Sequence, residues 1–116
     1  MASLTTHVLD TVHGRAAEGV AIELHSIVGG ERRLLTKTVT NKDGRPRDPF
    51  SGSDLAPGVY ELTFFAGEYF RRAGVALAHP PFLDEVILRF GIANAGDHYH
   101  VPLLLSTYGY TTYRGS

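Results

Sequence analysis

Short stretches of alternating apolar and polar residues run through most of the chain, and turn-forming residues separate them. Side chains on a strand point alternately to its two faces, so this pattern predicts β-strands with one buried face. The predicted strands are residues 4–10, 20–26, 33–40, 59–66, 85–90, 98–106 and 108–113, and the Pro- and Gly-rich middle has room for one more. One helical turn is predicted at residues 67–74, too short to form a layer. We therefore expect an all-β sandwich of two packed antiparallel sheets with one short helix.

The segment 98–106, H-Y-H-V-P-L-L-L-S, has the most informative alternation. Its apolar row, at alternate positions from Tyr99 to Leu105, is expected to enter the core. His98 and His100 then project from the opposite face, because an imidazole buried without hydrogen-bond partners is destabilising. Two histidines facing solvent are the more common outcome of this pattern, and a functional pair is the alternative. His25, in predicted strand 20–26, is also expected on a solvated face.

Composition narrows the possible functions. The 116 residues, 43% hydrophobic and 20% charged, are typical of one globular domain spanning residues 1–116. Eleven Lys and Arg against twelve Asp and Glu give a formal charge of −1, so neither nucleic acid nor an anionic membrane is an expected partner. The chain has no cysteine, which excludes disulfides, thiolate nucleophiles and thiolate metal sites. Its chemistry must come from His, Ser, Thr, Tyr, Arg or carboxylates.

Several further sequence signals are missing. No stretch approaches the roughly 20 apolar residues of a membrane helix. Residues 1–10 have neither the basic region nor the long apolar region of a secretory signal, and we expect a cytoplasmic protein. Phosphate-binding glycine motifs and the G-x-S-x-G nucleophile motif are absent as well.

Single residues are ambiguous when taken alone. His7, in T-T-H-V-L-D, is by itself more often structural than catalytic, and Arg45, after the Asp43-Gly44 turn, resembles an ordinary loop charge. A His-x-His strand with a third histidine can bind zinc, but the sequence places no third ligand. We therefore expect no metal and no cofactor, and leave incidental zinc binding open.

Five segments together resemble one family. They are L-T-T-H-V-L-D-T with G-R-A-A, N-K-D-G-R, A-G-E-Y-F, H-Y-H-V-P-L-L-L-S and Y-G-Y-T-T-Y-R-G-S. From Leu4 to Ser116 the chain resembles the 5-hydroxyisourate hydrolases, transthyretin-like enzymes of purine breakdown. The Y-R-G-S ending is the most specific element, because transthyretin, the hormone carrier of the same fold, lacks it. The resemblance implies a prealbumin-like sandwich of two four-stranded sheets and a homotetramer, a dimer of dimers with active sites in the channel between the dimers.

The resemblance also implies the site residues and the reaction. The implied catalytic residues are His7, Arg45, His100 and Ser116, and the implied substrate-binding residues are His7, Arg45, Tyr113 and His98. The implied substrate is 5-hydroxyisourate, whose six-membered lactam ring would be opened by water to give 2-oxo-4-hydroxy-4-carboxy-5-ureidoimidazoline.

A hypothesis for the mechanism follows from the residue types. Direct attack by water fits a chain without cysteine or a serine motif. A neutral imidazole, with an unperturbed pKa of about 6.5, suits a general base, and a guanidinium suits the anionic edge of a urate-like ring. We assign the base to His7, alone or paired with His100, and the substrate clamp to Arg45. His100 would orient the water or stabilise the tetrahedral intermediate.

Two other functions remain open at this point. The same sandwich could carry a small ligand without catalysis, as transthyretin does, although a carrier of an apolar ligand does not need imidazole bases. An immunoglobulin-like structural domain is the default for an unrecognised sandwich.

Overall fold

The computed structural model describes residues 2–48, 50 and 55–115, whose strands form two four-stranded sheets. The elements are β1 (Ser3–Asp10), β2 (Arg15–Ala16), β3 (Ala21–Val28), β4 (Glu31–Val39), β5 (Gly58–Phe65), α1 (Ala66–Arg72), β6 (Glu85–Ile92), β7 (His98–Leu105) and β8 (Tyr110–Thr112). The strand orders are β2-β1-β7-β8 and β4-β3-β5-β6. Within these residues, the arrangement confirms the expected all-β sandwich of two four-stranded sheets with one short helix. Within the described ranges, no helix has the length and apolar character needed to cross a bilayer.

The core lies between the two sheets and follows the predicted alternation. In β7 the row from Tyr99 to Leu105 is buried, His98 is exposed and His100 is half-buried, which confirms the predicted orientation of this strand. In β1, Leu4 and Val8 point inward in the same way. The opposite sheet supplies buried side chains at every strand. The largest of those that are fully buried come from Ile22, Leu24, Leu62, Phe64 and Val86.

Three details differ from the sequence-based expectation. β1 and β7 run parallel, so the first sheet is mixed and not antiparallel throughout. β2 was not predicted, because a strand of two residues is too short to show an alternation. His25 is 8% exposed, so its expected place on a solvated face is wrong. The extra residue where the pairing of β3 with β4 shifts is Leu35 on β4, and β3 pairs with β5 without a break, so His25 keeps its place in the alternation of β3. Neighbouring side chains cover it instead, among them Glu61, its partner on β5. The His25 imidazole lies 3.4 Å from the Arg32 guanidinium.

A buried carboxylate fixes the end of β1. Asp10 accepts hydrogen bonds from the Tyr69 hydroxyl at 2.6 Å, from the backbone N–H groups of Val12 and His13, and from the His13 ring at 2.6 Å. Burial alone would raise the pKa of Asp10, but the bonds from Tyr69 and His13 outweigh it, so that pKa lies below its ordinary value. Burial and the contact with Asp10 raise the pKa of Tyr69 to about 12. These bonds join α1 to the strand that carries His7.

Candidate active site

Three histidines share the outer face of the first sheet. The parallel register places Ser3 beside His98, Thr5 beside His100 and His7 beside Pro102. Residues two apart on a strand share a face, so His7, His98 and His100 all point away from the core. The pairing of β1 with β7 thus brings together on one face residues such as Thr5 and His100, which are 95 positions apart in the sequence.

A tight turn brings Arg45 to this face. The Asn41 side-chain oxygen accepts the backbone N–H of Asp43 at 2.9 Å and that of Arg45 at 3.2 Å. The Gly44 carbonyl accepts the N–H of Val8 at 2.9 Å, which holds the turn against β1. Gly44 has φ +76°, and a Cβ atom here would overlap the Val8 carbonyl and lie 3.1 Å from His7 Cδ2. Glycine is therefore required where the turn meets β1.

The electrostatic setting keeps His100 neutral at neutral pH. Burial is the largest cause that lowers the pKa of His100, and the positive charge of Arg45 is the next. The imidazoles of His98 and His7 act in the same direction. Because the pKa lies below its ordinary value of 6.5, the ring is an uncharged proton acceptor near neutrality. The Thr5 hydroxyl lies 2.7 Å from Nδ1 and fixes the orientation of this ring.

The chain's final segment closes on the histidine strand. The N–H of Gly115 donates to the His100 carbonyl at 2.7 Å, and a Cβ at Gly115 would lie 2.7 Å from His100 Cδ2. The Arg114 guanidinium donates to the His98 carbonyl at 3.2 Å and lies 4.1 Å from the centroid of the Tyr99 ring. The R-G pair of Y-R-G-S thus packs beside both histidines. Ser116 lies outside the described residues.

The predicted site residues fall into two groups in the structure. His7, Arg45 and His98 all lie close enough to His100 to influence its charge. Tyr113, 58% exposed, instead lines a cavity of about 550 Å³ between β6 and the β7–β8 hairpin. A smaller cavity, of about 170 Å³, lies between Arg45 and the Leu4–Thr6 part of β1. One chain therefore brings the imidazoles and the guanidinium together, but not Tyr113.

Sequence reasoning missed three residues at this face. Ser3 and Thr5 hydrogen-bond the ring nitrogens of His98 and His100, and Gly115 packs on His100. The signal for the two hydroxyls was present, because Ser3 and Thr5 alternate with the buried positions of β1 just as His7 does. Among the residues the structure describes, no group of three or more His, Asp or Glu side chains is arranged to hold a metal ion.

The arrangement supports acid–base chemistry. A neutral imidazole can take a proton from water, and a guanidinium nearby can stabilise a developing oxyanion.

The family of the chain follows from its similarity to known proteins. The model of the HIUase/Transthyretin family matches residues 4–115. The chain belongs to that family. The family includes the 5-hydroxyisourate hydrolase of Pseudomonas aeruginosa, 56% identical over 117 residues that cover 100% of this chain and 93% of that protein. At this level of similarity to a hydrolase, the chain is an enzyme, a hydrolase of the family.

Two solved structures show how far the fold extends. The crystal structure of (S)-allantoin synthase matches with a TM-score of 0.91 and 49% identity, over 99% of this chain but only 44% of that longer chain. Sea bream transthyretin in complex with thyroxine matches with a TM-score of 0.85 and 26% identity, over 97% of this chain and 94% of that one. The fold is therefore shared across the family. Sequence identity is much higher to the Pseudomonas aeruginosa hydrolase, at 56%, than to sea bream transthyretin, at 26%.

Proposed function

We propose that this enzyme hydrolyses 5-hydroxyisourate, opening its six-membered ring to 2-oxo-4-hydroxy-4-carboxy-5-ureidoimidazoline in urate breakdown. One observation carries the proposal: a neutral, half-buried imidazole lies within electrostatic reach of a guanidinium on one face of the sheet. The 56% identity to a protein named for this activity supports the choice of substrate. The ring is a cyclic amide, and a base together with an oxyanion stabiliser accelerates the attack of water on its carbonyl carbon.

The proposed mechanism divides the work between the imidazoles and Arg45. The His7/His100 pair takes a proton from water as its oxygen bonds to the ring carbonyl carbon, and the carbonyl electron pair moves to oxygen. General-base catalysis of this kind contributes about 10² to 10⁴-fold. The planar donor fork of Arg45 holds the anionic edge of the ring. His98 and Tyr113 bind the substrate in this proposal, and Ser116 is a further catalytic residue.

We further propose that the site is completed in a homotetramer, a dimer of dimers of one transthyretin-like domain. The cavity beside Arg45 measures about 170 Å³ in one chain. Ligand pockets usually measure roughly 300–1,000 Å³. The rings of Phe82 and Tyr108, 72% and 74% exposed, lie 5.8 Å apart and offer an apolar contact to another copy. Light scattering after size-exclusion chromatography tests the tetramer, and a monomer would refute it. A cytoplasmic location stays a prediction.

The decisive assay follows freshly generated 5-hydroxyisourate in the ultraviolet. Urate oxidase supplies the intermediate, and the protein should make it disappear faster than it decays alone. Single replacements His7→Ala, Arg45→Ala and His100→Ala should each lower turnover strongly while the assembly stays intact. Near-normal turnover by His100→Ala would remove that residue from the mechanism.

A small-ligand carrier is the second candidate. The 26% identity to a transthyretin solved with thyroxine favours it, as does the largely apolar cavity lined by Leu88, Tyr99 and Tyr110. Tight binding of an aromatic ligand without any acceleration of 5-hydroxyisourate decay would select the carrier over the enzyme.

A further inference from the structure

Four side chains form a hydrogen-bonded row across the outer face of β1 and β7. The Ser3 hydroxyl lies 2.6 Å from Nδ1 of His98, and Nε2 of His98 lies 3.2 Å from the Thr5 hydroxyl. The Thr5 hydroxyl in turn lies 2.7 Å from Nδ1 of His100. Ser3 and His98 are exposed, whereas His100 is half-buried. The row therefore leads from the interior of the candidate site to solvent.

Counting protons leaves two arrangements of this row. The Thr5 hydroxyl has one proton, so it donates to one imidazole and accepts from the other. In the first arrangement, His100 Nδ1–H donates to Thr5, Thr5 donates to His98 Nε2, and His98 Nδ1–H donates to Ser3. Nε2 of His100 then has a free lone pair. In the second, every bond is reversed and Nε2 of His100 carries a proton.

We propose that the row is a proton relay for the ring opening, with Thr5 as the positioning residue between the two histidines; this inference rests on the proposed function. As water bonds to the carbonyl carbon, one of its protons moves to His100 Nε2. The Nδ1 proton of His100 moves to Thr5, and the hydroxyl proton of Thr5 moves to His98 Nε2.

The exit of the proton completes the balance. The Nδ1 proton of His98 moves to Ser3, whose own hydroxyl proton passes to solvent. One proton enters the row and one leaves it, and every member ends neutral. When the ring C–N bond breaks, the leaving nitrogen takes the proton from His100 Nε2. Each remaining proton of the row then moves back by one position, and a proton from solvent enters at Ser3, so the row returns to its first arrangement. The relay therefore assigns the base of the His7/His100 pair to His100.

The surroundings explain why a relay is needed. A lone imidazole base stores the proton as a positive charge until it is released. At His100 that charge would be half-buried and would face Arg45 on the turn, His7 on β1 and His98 on β7. The partial burial and these neighbours together lower the pKa of the His100 ring. Passing the proton onward avoids a long-lived imidazolium at this position.

Two replacements of Thr5 separate a relay from simple packing. Thr5→Val keeps the shape but removes the hydroxyl, whereas Thr5→Ser keeps the hydroxyl. We expect Thr5→Val to lower kcat on the order of 10²-fold with little change in KM, and Thr5→Ser to stay within about threefold of the parent. Activity measured in H₂O/D₂O mixtures should show several protons in flight for the parent and Thr5→Ser, and one for Thr5→Val.

Other results would overturn the relay. It is wrong if Thr5→Val keeps kcat within about threefold of the parent, or if Thr5→Ser loses as much as Thr5→Val. If Thr5→Val does not fold, Ser3→Ala at the exposed end replaces it. That variant should lose on the order of tenfold in kcat and show fewer protons in flight, and unchanged behaviour would refute the relay.

A readout without substrate keeps this test apart from the proposed function. Nitrogen NMR of the imidazoles reports which ring nitrogen carries the proton. The protonated nitrogens of His98 and His100 should change together with pH in the parent and separately in Thr5→Val. Uncoupled changes in the parent would refute the row as a connected unit. Coupled changes in a protein that does not accelerate 5-hydroxyisourate decay would support the row and refute the proposed function.

Discussion

Replacing Gly115 with alanine is a sharp steric test of the site. The new Cβ would lie 2.7, 3.3 and 3.4 Å from Cδ2, Cγ and Cβ of His100. Carbon atoms normally approach to about 3.5–4.0 Å, so the ring or the tail must move by on the order of 1 Å. Gly115 is not among the glycines with positive φ, so alanine adds this contact without backbone strain. A misplacement of about 1 Å at a reacting group lowers turnover by about 10²-fold, or roughly 2.7 kcal/mol of barrier.

The ultraviolet decay assay measures this effect as kcat/KM. Gly109→Ala is the matched control, because its Cβ would meet only the Ser106 hydroxyl, at 3.9 Å, in the same hairpin. We expect Gly115→Ala to lose about 10²-fold and Gly109→Ala to stay within about twofold, with similar thermal unfolding of both. A Gly115→Ala enzyme that keeps kcat/KM within about threefold of the parent would refute the idea that the tail holds the His100 ring in place.

Two further predictions concern charge. Arg45→Gln removes a positive neighbour of His100, so the pKa of that imidazole should rise and the acid limb of the pH profile of kcat/KM should move to higher pH. An NMR titration of His100 measures this pKa. Arg47→Gln, at an exposed arginine, is the control and should leave the titration unchanged. Tyr69→Phe removes a hydrogen bond to buried Asp10 and should lower the free energy of unfolding in urea by about 1–3 kcal/mol at pH 7. Because the pKa of Asp10 is lowered in the fold, this loss should shrink as the pH falls below about 4, and a loss that does not change with pH would contradict the assignment.

Strand alternation accounts for most of what could be predicted about the fold. The H-Y-H-V-P-L-L-L-S segment has a period of two, so the burial of its apolar row and the outward position of His100 followed directly. The alternation within a strand is the same whether its neighbour runs parallel or antiparallel. The parallel pairing of β1 with β7 therefore could not be predicted from the alternation. The burial of His25 depends on neighbours from other strands, Glu61 on β5 and Arg32 on β4, which the pattern of a single strand does not specify.

The candidate site was predicted less completely, for a related reason. Resemblance pointed to Arg45, but its position depends on the turn docking on β1 through Gly44, a contact between distant segments. The alternation of β1 predicts that Thr5 faces away from the core. A threonine on an outer face suggests no function by itself, and Thr5 stands out only because its cross-strand neighbour is His100. Only the folded chain supplies that neighbour.

The parallel pairing of β1 with β7 also bears on how the protein is made. Thr5 leaves the ribosome 95 residues ahead of its partner His100. At a synthesis rate of about 5–20 residues per second, a nascent chain waits several seconds before the two can meet. Throughout that interval the edge of β1 that pairs with β7 lacks its neighbour, and the face that combines Thr5 with His98 and His100 cannot form until β7 has emerged.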